Sequence, residues 1–267
     1  MLAPMGIGQL RLMSIENNNL SRLNIIVGDS YSTFHFIDHS SSSKSFFKKL
    51  TYDAELKTEL ISDFIAENLR INDLNDLSIN DINVYYDHSL FSLVPNSLYD
   101  DNLNKKYLEN IFEIKTNDFI ESDLISELEI RNVYVPFINV NNILIDSFNQ
   151  INYFHYNTIL LRKLSITSIK EKNKIFCIVN NKYFKVIIFQ NSSLKMINHY
   201  KYETKEDVLY FILQSLKSHK IKPEKSKLNY ILNDKLSGLQ NFTKEFIKEV
   251  NVLFYSDDKT CDYIFNK

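Results

Sequence analysis

Three acidic residues are the first candidates for chemistry. Asp29, Glu59 and Asp87 fall after a first apolar strand, on a first helix and after a fourth strand, roughly where a two-metal nuclease places its carboxylates. Each position also has an ordinary explanation: Asp29 sits in turn chemistry, Glu59 on a polar helix face and Asp87 at a strand end. His35 and His39 are four residues apart with Asp38 between them. That spacing suits a metal on a helix, but the local period is two, which keeps the rings from converging. No metal site is expected. His155 lies in the cluster Tyr153-Phe154-His155-Tyr156 and reads as a hydrogen-bonded packing residue. Cys177 sits within the apolar run Phe176 to Val179, and Cys261 lies far away. Cys177 therefore reads as a buried structural thiol, and no CxxC pair or disulfide framework is present. No serine stands in a GxSxG elbow, and there is no HExxH.

Glycine excludes more than the acids suggest. The chain holds four, Gly6, Gly8, Gly28 and Gly238. Loops that wrap phosphate through backbone N–H groups need several positions free of Cβ, so neither a Walker A loop nor a GxGxxG turn can be built from this set.

The elements that would position these residues come in a repeated order. Leu23 to Val27 is an apolar strand, Gly28-Asp29-Ser30 a turn and Thr33 to Ile37 a strand of period two. A third strand is expected around Phe46-Phe47. A helix over Asp53 to Leu69 carries Leu56, Leu60, Ile61, Phe64, Ile65 and Leu69 on one face, and a strand at Ile82 to Tyr86 follows. About 150 residues on, the order returns. Strands at Ile175 to Val179 and Tyr183 to Phe189 flank the turn Asn180-Asn181-Lys182, and a third runs from Leu194 to Tyr200. A helix from Lys205 to Ser218 opens with Thr204 and Asp207 at capping-box spacing, and Leu228 to Leu232 is the next strand. Tyr52 and Tyr202 occupy matching places before the two helices. Strand, strand, strand, helix, strand thus occurs twice, which predicts an α/β fold made by internal duplication. Between the copies, Asn96 to Phe112, Asn139 to Ile151 and Asn157 to Ile169 are expected to be helical, and Asn132 to Pro136 a strand.

Composition sets the class. With 267 residues, 44% hydrophobic and 24% charged, the chain buries a sizeable core and is not disordered in character. The longest apolar stretches are strand-length, so no membrane span is expected. Residues 1–22 lack signal-peptide architecture and are expected to be a disordered leader, with Met13 as an alternative start. A cytoplasmic location follows from that reading together with the cysteine pattern. Residues 1–161 carry 11 Lys+Arg against 22 Asp+Glu, and residues 162–267 carry 20 against 11. The basic half fits either attraction to its acidic neighbour or contact with nucleic acid.

The C-terminal stretch Leu228-Asn229-Tyr230-Ile231-Leu232-Asn233-Asp234-Lys235-Leu236-Ser237-Gly238-Leu239, followed by a helix to Val250 and a strand at Val252-Leu253-Phe254, resembles the adenosine-side motif of actin-like ATPases, including the bacterial division and type IV pilus homologues. Asn233-Asp234 stands where that family has a glycine pair. The two strand–turn–strand units resemble its phosphate hairpins. The first keeps Gly28-Asp29-Ser30 without the usual Asp-x-Gly order, and the second, Asn180-Asn181-Lys182, has no glycine. From about Leu23 to Ser256 the chain also resembles an uncharacterised bacterial family of actin-like structural class.

The resemblance implies two ribonuclease H-like lobes in an actin-like arrangement, with residues 23–160 as lobe I and 161–267 as lobe II. It implies a degenerate cleft at Gly28, Asp29, Ser30, Asn180, Asn181, Asn233, Asp234 and Gly238. With side chains on the turn residues obstructing phosphate, it implies a non-catalytic scaffold or partner-binding protein with no nucleotide cofactor, whose partner is another protein. Two other functions compete: a nucleic-acid or ribosome-associated protein acting through the basic half, and a divergent metal-dependent nuclease or weak ATPase.

Overall fold

A computed structural model describes residues 21–38, 45–52, 58–71, 74, 79–115, 118–167, 172–232 and 236–265. Residues 1–20 of the expected leader and His39, Asn233 and Asp234 lie outside the described residues, as does the side chain of Glu59, while Ser21 leads into the first strand, which Arg22 begins.

The duplication is visible strand by strand. In the first lobe β1 (Arg22–Gly28), β2 (Tyr31–Ile37), β3 (Ser45–Thr51), β4 (Asp81–Asp87) and β8 (Asn152–His155) form a sheet in the order β3-β2-β1-β4-β8. In the second, β9 (Asn173–Val179), β10 (Tyr183–Gln190), β11 (Ser193–Lys201), β12 (Lys227–Ile231) and β13 (Glu249–Phe254) repeat it as β11-β10-β9-β12-β13. In both sheets the first three strands are antiparallel and the last two pair in parallel. The helices repeat as well. α1 (Thr58–Ile71) matches α5 (Lys205–Ser218), α3 (Ile138–Phe148) matches α6 (Ser237–Lys244), and α4 (Tyr156–Thr167) matches α7 (Asp257–Phe265). One insertion breaks the match. Between β4 and α3 lies a three-stranded antiparallel sheet, β5 (Phe91–Pro95), β6 (Glu121–Ile125) and β7 (Ile130–Tyr134), in the order β5-β7-β6, with the single-turn helix α2 (Lys106–Glu109).

Strand alternation sends apolar side chains to both faces of each sheet, so each lobe buries two layers. On the outer face of lobe I, Leu23, Ile25, Phe34 and Val84 pack with Ile61 and Ile65 of α1 and Val140 and Leu144 of α3. On the outer face of lobe II, Ile175, Cys177, Val186 and Tyr230 pack with Val208 and Ile212 of α5. The inner faces share a third core, in which Ile26 and Tyr85 of lobe I meet Phe176, Ile178, Ile187 and Phe189 of lobe II through Leu160, Leu161 and Leu164 of α4 and Cys261 and Ile264 of α7. A fully buried side chain of this size contributes about 1.5–3 kcal/mol, so the lobes form one packed body. The expected division at residues 160 and 161 falls inside α4.

Several local expectations are met. Thr204 accepts from Asp207 N while Asp207 accepts from Thr204 N, closing the capping box that starts α5. Cys177 is buried. Three differ. Asn96 to Phe112 is short turns and the single turn α2 rather than one helix, because Asp100 accepts from the backbone and side chain of Asn102 and Tyr107 bonds Asp100 N and Leu98 O. Such side-chain bonds compete with the helical ladder. The helix expected to reach Ile151 stops at Asn149, with φ of 63°, and releases residues 152–155 to form β8. The helix expected to reach Val250 ends at Lys244.

Candidate functional site

The two hairpin tips face each other where the lobes meet. In each, a tyrosine from the end of the third strand ties down the turn. Tyr52 N donates to Ser30 O at 3.0 Å and its hydroxyl donates to Gly28 O at 2.7 Å. Tyr202 N donates to Lys182 O at 3.0 Å and its hydroxyl donates to Asn180 O at 2.6 Å. The matching places of Tyr52 and Tyr202 in the sequence thus carry one structural task twice. Neither tip passes through left-handed backbone, since the positive-φ residues among those described lie elsewhere and none is glycine. Gly28 is needed for space: a Cβ there would stand 2.6 Å from the Tyr31 ring. Gly238 is exposed in the first turn of α6, where an added Cβ would meet nothing within 4 Å.

A lysine from lobe II occupies the junction. Lys185, on the inner face of β10, is 3% exposed, and its ammonium contacts the carboxylate of Asp87, itself 2% exposed at the end of β4. Lys185 Nζ also donates to Asn157 Oδ1 at 2.6 Å, at the start of α4. The other Asp87 oxygen accepts from the Tyr31 hydroxyl, and Asn180 Nδ2 of the second tip reaches the Tyr31 oxygen at 3.4 Å. β4 and the linking helix α4 therefore meet the cation directly, and β2 and the second tip join the network through Asp87 and Tyr31. Burial pushes the Asp87 carboxyl up, but the Lys185 ammonium and the Tyr31 hydroxyl outweigh it and hold Asp87 below its ordinary range.

Burial shifts the surrounding groups towards their neutral forms. Burial raises Asp29 to about 7, with the Asp87 charge adding to the effect. Burial lowers His88 to about 4 and His155 well below its ordinary value. His155 Nδ1 accepts from Asn157 N at 3.1 Å, which leaves its Nε2–H to donate to His88 O at 3.2 Å. It is the satisfied packing histidine the aromatic cluster suggests. Of the acid trio, Asp29 follows β1 and Asp87 ends the adjacent β4, Gly28 and Asp87 being register partners. The Asp87 carboxylate is committed to Lys185 and Tyr31. Among the described residues no three His, Cys, Asp or Glu side chains converge as metal ligands. His35 bonds Asp262 of α7 at 3.1 Å.

Among the described residues, the cavity found between the tips is small. A cavity of about 30 Å³ is lined by Tyr31, Tyr156, Asn180, Leu232, Asp257 and Thr260, among others, whereas pockets for nucleotide-sized ligands measure roughly 300–1,000 Å³. The large concavity lies elsewhere, a groove of about 1030 Å³ between the inserted sheet and β11. β5 and β11, the outermost strands of their sheets, bound it, and Phe91, Leu93, Leu128, Ile130, Leu194 and Met196 contribute to its wall. Lys185 escaped the sequence reading. Its signal was a single charge in the apolar strand Tyr183 to Phe189.

Two sheets of the same order, joined face to face by α4 and α7 with a hairpin from each at the junction, define an actin-like ATPase fold. The chain is similar to a Bacteroides thetaiotaomicron protein with actin-like ATPase fold and unknown function, at 15% identity and a TM-score of 0.78 over 92% of this chain and 96% of that one. It is also similar to a chain of the PilM–PilN type IV pilus biogenesis complex, at 9% identity and a TM-score of 0.59 over 91% and 92%. A family model described as "Protein of unknown function (DUF3822)" matches residues 11–250, and the chain belongs to that family. Comparison with curated proteins gives no match. No helix among the described residues is long and apolar enough to cross a membrane.

Proposed function

We propose that this chain is a non-catalytic member of the actin-like class that works by binding a protein partner. The observation that carries the reading is the buried Lys185–Asp87 pair between the hairpin tips. It puts an internal cation where the two turns converge and leaves a cavity of about 30 Å³, lined in part by Asn180, one of the cleft residues expected from the sequence. Opening that site to a triphosphate means separating a desolvated ion pair and parting the apolar core shared by α4 and α7, at a cost of several kcal/mol. The partner is assigned to the groove between β5 and β11, where open strand edges offer main-chain groups to an extended segment and apolar walls accept alternate side chains. The type IV pilus relative is itself a component of a two-protein complex, which is consistent with recognition by this fold.

Isothermal titration of the full chain with ATP and with ADP, each with Mg²⁺, tests the reading. The expected result is no binding with a Kd tighter than about 100 µM. Micromolar affinity, or release of phosphate from ATP, overturns it.

A further inference from the structure

The end of lobe II that faces away from the hairpin tips carries a different chemistry. β9, β12 and β13 are parallel, so their first residues lie together, and the tip at residues 180–182 lies at the opposite end of the sheet. The connections that gather at this end are rich in lysine. Lys172 precedes β9, and its carbonyl accepts from Asn191 N of the β10–β11 turn at 2.9 Å. Lys217, Lys220 and Lys222 lie along the exit of α5, Lys225 enters β12 and Lys248 enters β13. All six are exposed.

The backbone beneath them is fixed. Ile221 N donates to Leu216 O at 2.9 Å, and Leu216, Ile221 and Ile247 are buried. Gln190 Nε2 bonds Asn173 Oδ1 at 3.3 Å, which ties the turn to the strand. Lys174 and Lys227 are direct register partners on adjacent strands. Of the carboxylates Glu224, Glu245 and Glu249 on these connections, Glu249 is engaged by Lys227 at 3.6 Å. Among the described residues of this end, lysines outnumber carboxylates.

We infer that this end of lobe II binds the phosphate backbone of nucleic acid. Lysine is depleted at protein–protein interfaces, whereas clustered lysine is the electrostatic footprint of backbone recognition. Ammonium groups on flexible stems meet phosphates at irregular positions without the fixed fork geometry that arginine imposes. Phe246 is the one exposed large apolar side chain on the connection from α6 to β13, so the face offers charge and little to insert into a bilayer. Contact without base readout makes the binding sequence-tolerant and steeply salt-dependent. The face is remote from the ion pair at the tips, so the duplex titration and the nucleotide titration test this inference and the non-catalytic reading separately.

The test is fluorescence anisotropy of the full chain with labelled mixed-sequence RNA and DNA duplexes, across about 50–200 mM KCl. Four to six phosphate contacts give a slope of log affinity on log salt of roughly −4 to −5. The triple variant Lys217→Gln, Lys220→Gln, Lys222→Gln should reduce that slope by about 2 to 3 and weaken binding at low salt at least about tenfold. Lys172→Gln, Lys225→Gln, Lys248→Gln should do the same. Lys105→Gln, Lys106→Gln, Lys115→Gln, an equal charge change in lobe I, should leave affinity unchanged. Circular dichroism of each variant confirms the fold. The inference is overturned if neither duplex binds at the lowest salt, if all three triples weaken binding equally, or if phosphatidylserine vesicles bind and duplexes do not.

Discussion

Replacing Lys185 by Met tests the central feature of the junction. The substitution keeps an unbranched stem and removes the ammonium, which leaves Asp87, 2% exposed, with the Tyr31 hydroxyl as its remaining bond of the pair described. Breaking a buried pair from one side costs about 3–5 kcal/mol, because the abandoned charge stays desolvated. Asn157 Oδ1 loses the same donor, which adds to the cost. Against a total stability of roughly 5–15 kcal/mol this is a large fraction, and it corresponds to a fall in Tm of about 8–15 °C for a chain of this size. The cost should depend on pH. In the variant, the folded-state pKa of Asp87 rises above its unfolded value, so stability is retained at low pH and lost as pH rises through that raised pKa. Urea unfolding of wild type and Lys185→Met at pH 8 and pH 5, with m held equal, measures both effects. The double variant Asp87→Asn, Lys185→Met removes the charge left behind and should return to within about 1–2 kcal/mol of wild type. A single variant within about 1 kcal/mol of wild type at pH 8, or a double variant no better than the single, would refute the claim that this pair closes the junction.

The two described glycines should respond in opposite directions. Gly28→Ala places a methyl 2.6 Å from a Tyr31 ring held by Asp87 and should destabilise by about 1–3 kcal/mol. Gly238→Ala meets nothing within 4 Å and should be neutral or stabilising by up to about 1 kcal/mol, from helix propensity. Thermal melts of the pair decide it, and equal effects would remove the steric account of Gly28. Asp29, raised to about 7 by burial, stays protonated in the folded chain at pH values where the unfolded chain has ionised. Its contribution is therefore intact below about pH 4 and falls away as pH rises towards 7. Asp29→Asn should exceed wild type by about 1–2 kcal/mol at pH 8, after allowance for its partial exposure, and match it near pH 4. A difference that does not change with pH would mean the carboxyl is not desolvated.

The repeated frame was legible because its signals are local. Period-two strands, the Thr204–Asp207 box and the paired Tyr52 and Tyr202 lie within short windows of sequence, and the structure realises each of them. α7 went unread, although Ser256-Asp257-Asp258 offers an N-terminal signal and the repeat itself requires it. A helix follows β8 in lobe I, so one is due after β13 in lobe II. β8 was hidden because Asn149 ends α3 in left-handed backbone and only four residues remain to pair with β4. The ion pair lies beyond any local window, since Lys185 and Asp87 are 98 residues apart and belong to different lobes. One trace was nevertheless present. In an otherwise apolar strand buried on both faces, a lone lysine must find an anion or be expelled. Alternation puts Lys185 on the same face as Ile187 and Phe189, towards lobe I. The duplication also fixes what is unusual there: the tyrosine ties align Ser30 with Lys182 and so Thr33 with Lys185. The frame is symmetric, and the cation that closes it is supplied from lobe II alone.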